Sequence, residues 1–332
     1  MKNWANIISF SNSITIKKLF NLFKVESSYY LSVLLKKPIV WGKPYSISIE
    51  PASFCNLACE FCPAGKKSLS RPSGVIKTID FCTIINQVYP ELLNLFLYFQ
   101  GEPFLNKDIF EIIGISKKSG IYTVLSTNGH FLDRENIRKL IESKVDKLII
   151  SLDGTEEETY KMYRKNGDFF KVTSGIEQLS KFRKESGASL PFIELQFLVF
   201  SHNQQQIEDI KKLGQYLGAD KVSLKTAQIY NYEENRSFIP SIKKFSRYKE
   251  DNNGNIQPKS VKRNTCPRLW NSTVITWNGN VVPCCFDKNA DFVMGNMLID
   301  NFEEIWNNTQ YQNFRKQLLT NRKTLEMCRN CL

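Results

Sequence analysis

The chain has 332 residues, 42% hydrophobic and 23% charged, enough to bury the core of one large domain or two modest ones. Lys and Arg interrupt every long apolar run, which excludes a transmembrane span; 45 basic against 33 acidic residues give +12, which favours an anionic cofactor, substrate or partner. Two histidines beside nine cysteines leave almost no room for mixed Cys/His zinc sites or His-dependent triads, and the basic residues are spread along the chain, so no nucleic-acid partner is expected.

Residues 1–44 read as an N-terminal helical extension. Its segment ITIKKLFNLFKVESSYYLSVLLKKP (14–38) is basic and amphipathic but lacks the apolar stretch and cleavage site of a signal peptide. The expectation is a helix packed on the main domain of a cytoplasmic protein, with a membrane-surface helix as the alternative. From residue 45 strands alternate with helices. Strand-like runs lie at 46–51, 95–100, 122–127, 147–153, 192–200 and 221–227, and helix-like stretches near 78–89, 107–118, 133–143, 155–185 and 203–217. That alternation implies an α/β fold with a parallel sheet and right-handed crossovers, either an open doubly wound sheet or a partial barrel. Residues 228–265 are polar and broken by Pro and Gly, and read as a linker. Beyond them, STVITWNGNVVPCC (272–285) predicts two strands joined at Asn278-Gly279, a pair that tolerates positive φ. A helix near 300–319 and the terminal CRNC follow.

Clustered cysteines without a secretion signal point to metal binding or catalysis rather than disulfides. Cys55, Cys59 and Cys62, in CNLACEFC, follow the first strand, on the ligand-binding edge of parallel α/β folds. A structural zinc site closes with four ligands. The other thiol of this half, Cys82, reads as a buried hydrophobe on an apolar helix face. Three thiolates thus describe a metal centre with one vacant position, and thiolates suit iron–sulfur clusters. Cys266, Cys284, Cys285, Cys328 and Cys331 can close a second, four-thiolate site, for which ligand type leaves zinc and iron–sulfur both open.

The C-x3-C-x2-C loop after the first strand of a repeated β/α domain resembles the radical S-adenosylmethionine (SAM) superfamily. The resemblance implies a partial (β/α)6 TIM-like barrel over residues 45–227. It also implies that Cys55, Cys59 and Cys62 hold a [4Fe–4S] cluster whose fourth iron is chelated by SAM. By the same resemblance Phe61 contacts adenine, and Gly101, Glu102 and Pro103 (GEP) bind the SAM ammonium. Ser126 and Asn128 of STNG and Ser151 of SLDG then lie near SAM, with Arg164 near its carboxylate. The implied chemistry is reductive cleavage of SAM to a 5′-deoxyadenosyl radical that removes hydrogen from the substrate. The electron is expected from an external donor such as flavodoxin or ferredoxin.

The string CPRLW…WNGNVVPCCFD…FEEIW…CRNC resembles the SPASM/twitch extension of the same superfamily. This implies a small α+β domain at 266–332 with a second, auxiliary [4Fe–4S] cluster on Cys266, Cys284, Cys328 and Cys331. Cys285 is then a spare thiol or the true ligand, and Arg268 and Asp287 are candidates for proton transfer or cluster tuning. An auxiliary cluster implies a net oxidation, expected on a small polar metabolite of sugar or aminocyclitol type. The alternative is a peptide- or protein-modifying maturase, against which stands the short stretch of about 45 residues before the barrel. Two other classes compete: a non-catalytic zinc or iron–sulfur nucleic-acid-binding protein, and a protein that binds SAM without cleaving it.

Overall fold

The predicted alternation closes into one sheet. A computed structural model describes residues 2–229, 231–259, 263–328 and 331. In it β1 (Ser46–Ile49), β2 (Asn94–Leu97), β3 (Tyr122–Thr127), β4 (Lys147–Ser151), β5 (Phe192–Val199) and β6 (Lys221–Thr226) lie side by side in chain order, all parallel. A doubly wound sheet would reverse its strand order at a switch point. This one never does, so the architecture is a partial (β/α)6 barrel. Between the strands run α3 (Thr78–Val88), α4 (Ile109–Lys118), α5 (Arg134–Ser143), α6 (Glu157–Tyr163), α7 (Phe169–Glu185) and α8 (Ile207–Tyr216).

Strand alternation sorts the side chains by face. Ile47, Ile49, Leu95, Leu97, Leu148, Ile150, Leu195 and Phe197 are buried beneath the helices. Ser46, Ser48, Asn94, Lys147 and Gln196 point the other way together with Phe96, Val124 and Ile149, so polar and apolar side chains share the barrel interior. Two N-terminal helices precede it, α1 (Lys2–Asn12) and α2 (Ile16–Leu35). α1 lies across the N-terminal mouth: Phe10 meets the Tyr122 ring edge-on at 5.3 Å, Asn6 accepts from the Tyr122 hydroxyl, and the Ser9 hydroxyl donates to Asp146. Behind it lies a cavity of about 570 Å³ that includes Lys147, Glu194 and Gln196.

The C-terminal part extends the same sheet. It comprises α9 (Arg268–Asn271), β9 (Ser272–Ile275), β10 (Asn280–Val282), β11 (Gly295–Asn296), α10 (Phe302–Asn307) and α11 (Thr309–Asn321). β9 pairs in parallel with β1 over four residues, from Ser46↔Ser272 to Ile49↔Ile275, and β10 and β11 follow antiparallel. The predicted hairpin turns at Gly279, with φ +85°. Behind it Arg315 is fully buried, its guanidinium carbon 4.3 Å from the Trp306 ring centroid and 4.1 Å from that of Tyr311. It donates to the carbonyls of Leu269 and Trp306, which makes burial of its charge tolerable.

The structure departs from the sequence reading in four places. The stretch at 155–185 is two helices, because Asn166 (φ +63°) and Gly167 turn the chain between α6 and α7. The stretch at 300–319 divides at Asn308, whose side chain caps α11 by accepting from Tyr311 N. Within 228–265 a two-stranded ribbon forms from β7 (Tyr248–Glu250) and β8 (Ile256–Pro258), too short and polar to show a pattern. Cys82 is only half-buried, at the edge of the apolar face of α3 rather than in the core.

His202 stacks on Phe200 with centroids 5.3 Å apart, and its two buried ring nitrogens have no hydrogen-bond partner among the described residues. Burial, helped by Lys165, pushes its pKa down to about 4. Between its ordinary value and that one the unfolded chain binds a proton that the folded chain does not, so stability falls as pH drops through this window. In urea titrations near pH 7 and pH 5 the wild type should lose stability relative to His202→Phe, which lacks this proton site. Equal acid sensitivity in both proteins would refute this.

Candidate active site

The loop after β1 carries Cys55, Cys59 and Cys62, and its shape is set by backbone pairing. Ser53 and Gly74 close its base through Ser53 N to Gly74 O at 3.0 Å and Gly74 N to Ser53 Oγ at 2.8 Å. Ala58 N and Glu60 N donate to the carbonyls of Lys165 and Tyr163, so the break between α6 and α7 seats the cysteine loop. Gly65 fits where a Cβ would stand 2.9 Å from Cys59 N.

The three thiols are mutual neighbours, and among the described residues no cysteine is in a disulfide. N–H donors surround the sulfurs: Leu57 N and Asn128 Nδ2 lie 3.4 and 3.6 Å from Cys55 Sγ, and Arg164 Nη1 lies 3.7 Å from Cys59 Sγ. Burial pushes the Cys55 thiol up to about 12 and raises Cys59 as well. Buried thiols ringed by donors fit a thiolate-bound cationic centre, where the metal replaces the protons and the donors stabilise sulfur charge. Among the described residues no three His, Cys, Asp or Glu side chains converge as around a single metal ion.

Arg164 is the pivot of this end of the barrel. Its Nε donates to Asp153 Oδ2 at 2.6 Å, and both side chains are nearly or fully buried. Burial works against the guanidinium charge, but Asp153 and the Cys59 sulfur more than offset it and raise its pKa. Asp153 in turn accepts from Leu198 N at 2.6 Å. Arg164 therefore spans SLDG and the cysteine loop, which SLDG alone could have signalled and the sequence reading missed.

Glu102 is fully buried, and chain groups engage both its oxygens. It accepts from Thr127 Oγ1 and Asn128 N, each at 2.8 Å, and from Phe104 N at 3.2 Å; burial still pushes its pKa up to about 7. Its carboxylate thus braces the ends of β2 and β3 rather than standing free in the mouth, while Pro103 starts a single 3-10 turn. Gly101 has φ +73°, and an added Cβ would sit 2.4 Å from Ala52 O and 2.6 Å from Phe54 O. Gly101→Ala is therefore expected to cost at least about 2 kcal/mol in urea unfolding and to lower the iron content. An unchanged unfolding midpoint would contradict this close approach.

Asn128 reaches Asn56 Oδ1 at 2.8 Å as well as Cys55, and its Oδ1 accepts from His130 N at 3.0 Å. His130 Nε2 accepts from Asp168 N at 2.9 Å, which leaves Nδ1–H to face Asn128 Oδ1 at 3.0 Å. Burial lowers the His130 pKa, so a neutral imidazole holds Asn128 in place. Ser126 and Ser151 occupy inward-facing positions at the C-terminal ends of β3 and β4. Phe61 is buried in an aromatic cluster, 4.9 Å edge-on to Phe238 and 6.1 Å from Phe200, yet it borders a cavity of about 380 Å³ beside Cys62.

In the second cysteine group Cys266, Cys328 and Cys331 are neighbours; the two residues between Cys328 and Cys331 lie outside the described ones. Burial raises the Cys266 and Cys328 thiols. Arg268 is the hub: its Nη1 lies 2.9 Å from Cys285 Sγ, and it feels Cys284, Cys331 and Cys266 as well. The Cys284 thiol hydrogen-bonds to Cys285, and together with Arg268 this lowers the Cys285 pKa to about 6. Cys285 is thus the more thiolate-like and more exposed of the pair, whereas Cys284 is half-buried. Asp287 accepts from Asp291 N and Phe292 N, so it braces a turn.

The segment at 284–289 joins the two groups. Cys284, Cys285 and Arg268 border a barrel cavity of about 520 Å³, whereas Phe286, Lys288 and Asn289 border the cavity beside Cys62. Lys288 feels the charge of both Cys62 and Cys285 and reaches Gln228 Oε1 at 3.3 Å. A buried ion pair fixes this segment: Arg71 forks onto Glu50 at 2.7 and 2.5 Å while its Nε donates to Lys288 O at 2.8 Å.

Residues 49–214 match the model of the radical SAM superfamily, and residues 266–332 match that of SPASM, an iron–sulfur cluster-binding domain. An AdoMet-dependent heme synthase of Methanosarcina barkeri is 32% identical over 177 residues, 53% of this chain and 48% of its own, so the chain spans about half of that relative. An S-adenosyl-L-methionine-dependent 2-deoxy-scyllo-inosamine dehydrogenase of Niallia circulans is 24% identical over 86% of this chain and 91% of its own. The crystal structure of Streptococcus suis SuiB bound to precursor peptide SuiA superposes with a TM-score of 0.61 at 14% identity, over 83% of this chain and 67% of that one.

Proposed function

The chain belongs to the radical SAM superfamily, and on that premise we propose that it oxidises a small polar metabolite of the sugar or aminocyclitol class. The observation that carries this reading is the barrel cavity of about 520 Å³, where hydroxyl and amide groups of Ser46, Ser48, Tyr98 and Asn271 meet Arg268 and the Cys284–Cys285 pair. Such walls suit a hydroxylated ligand. The cavity's volume suits a molecule of metabolite size. The similarity to an inosamine dehydrogenase supports the same substrate class.

When bound, a [4Fe–4S] cluster with SAM supplies a 5′-deoxyadenosyl radical that removes a hydrogen atom from the substrate, and an auxiliary cluster supplies an electron acceptor. Cys55, Cys59 and Cys62 would hold the first cluster; Cys266, Cys328, Cys331 and one of Cys284 and Cys285 would hold the second. Toward SAM, the turn at Gly101–Pro103 offers backbone acceptors, and Ser126 and Ser151 offer hydroxyls. Asn128 and Arg164 donate to the sulfurs and orient them. An external one-electron donor of flavodoxin or ferredoxin type completes the system. Superfamily membership displaces the reading of the chain as a non-catalytic nucleic-acid-binding protein.

The test is anaerobic turnover with SAM, dithionite and substrates deuterated at a carbinol carbon. Deuterated 5′-deoxyadenosine with a ketone product from cyclitols or sugars is the expected result. Label arriving only from peptides would make the protein a maturase. Absence of deoxyadenosine with every substrate would leave SAM binding without cleavage.

A further inference from the structure

α2 is amphipathic in the reverse of the usual sense. Its packed face is polar or small: Lys18, Asn21, Val25, Ser28 and Ser32 are buried at three- and four-residue spacing. The polar groups among them are satisfied. Lys18 Nζ donates to the carbonyls of Ser13 and Gly120 at 2.9 and 2.7 Å, Asn21 exchanges two hydrogen bonds with the Lys43 backbone, and Ser32 bridges to Ile39.

The opposite face carries Ile16, Leu19, Phe20, Phe23, Tyr30 and Leu34, all exposed; Ile16 is 88% and Leu34 76% accessible. Their spacing puts them on one stripe along a helix of 20 residues, about 30 Å long. α1 exposes Trp4 in addition, at 66%. Apolar residues scattered singly over a surface need no explanation, but a stripe of this length does.

We propose that this face of α2 docks the protein on the surface of an anionic lipid bilayer. Residues 1–44 hold seven lysines and one glutamate, which accounts for half of the chain's net charge of +12. Lys17, Lys36 and Lys37 are exposed around the stripe. The core of a protein–protein interface is depleted of lysine, whereas an anionic headgroup layer attracts it. Exposed Trp4, Tyr30 and Trp41 are residue types that settle at the lipid–water boundary. Among the described residues no helix is long and apolar enough to cross a membrane, so α2 lies in the interface plane. Because α2 begins beside Gly120, at the N-terminal end of β3, docking leaves the C-terminal mouth with the cysteine loop open.

The experiment sediments the anaerobically purified full chain with vesicles of equal parts phosphatidylglycerol and phosphatidylcholine, and with phosphatidylcholine alone. The protein is expected to pellet with the anionic vesicles, and added salt to release it in part. Phe20→Glu/Phe23→Glu should weaken binding at least about tenfold at unchanged iron content. Lys17→Glu/Lys36→Glu/Lys37→Glu, which leaves the apolar stripe intact, should weaken binding to anionic vesicles alone. The proposal is overturned if the wild-type protein stays in the supernatant. It is equally overturned if sedimentation velocity shows a dimer that Phe20→Glu/Phe23→Glu dissociates while no vesicles bind.

Discussion

Cys59→Ala is expected to abolish SAM cleavage and to remove the iron bound at the first cysteine group. Cys59 is the buried member of its triad and the one that Arg164 faces. Losing a partner that merely orients a ligand costs a metal site about 10–100-fold. Losing one of three thiolates leaves two, with no neighbouring thiol to substitute, so the fall is larger. Cys331→Ala serves as the control: it should reduce iron at the second group while the spectrum of the first remains. The measurements are iron and sulfide content, the electron paramagnetic resonance of the reduced protein, and 5′-deoxyadenosine formed. Undiminished deoxyadenosine from the Cys59→Ala protein would remove the triad from the chemistry.

The second large effect is expected at Arg164. Its pair with Asp153 is almost wholly out of solvent, so Arg164→Ala strands a buried carboxylate. Breaking a buried pair from one side costs about 3–5 kcal/mol. Arg164→Lys keeps the charge but cannot fork between Asp153 and Cys59, and should fall between the wild type and the alanine variant. Adding Asp153→Asn to Arg164→Ala should recover part of the stability, because the orphaned charge is gone, without restoring the donor to Cys59. Urea unfolding under anaerobic conditions measures the first effect and the spectrum of the reduced cluster the second. Full stability in the Arg164→Ala protein would show that the Asp153 carboxylate does not depend on Arg164.

The six barrel strands were legible because β-branched and aromatic runs alternate with helical periods between turn residues. The cysteine triad was legible because spacing survives without any structure. The break between α6 and α7 was missed although Asn166-Gly167 announced it, since the flanking residues YKMYRK and FFKV are all compatible with helix. That break mattered for function, because it is what turns Arg164 toward Asp153 and Cys59. Glu102 could be located from GEP, but not its use: a carboxylate buried against three donors and one aimed at a ligand have the same sequence. The periodicity of α2 revealed two faces without saying which one meets the barrel. Pairing of β9 with β1 joins residues more than 220 positions apart, which no local pattern encodes.

That pairing binds the halves of the molecule by main-chain ladder rather than by tether. Lengthening the connection at 228–265 would leave the separation of the two cysteine groups untouched, because four rungs between β1 and β9 fix it. Ending the chain before residue 266 would do the opposite. It would strip β1 of one of its two neighbours and uncover a bare row of amide and carbonyl groups, a template on which other copies could assemble.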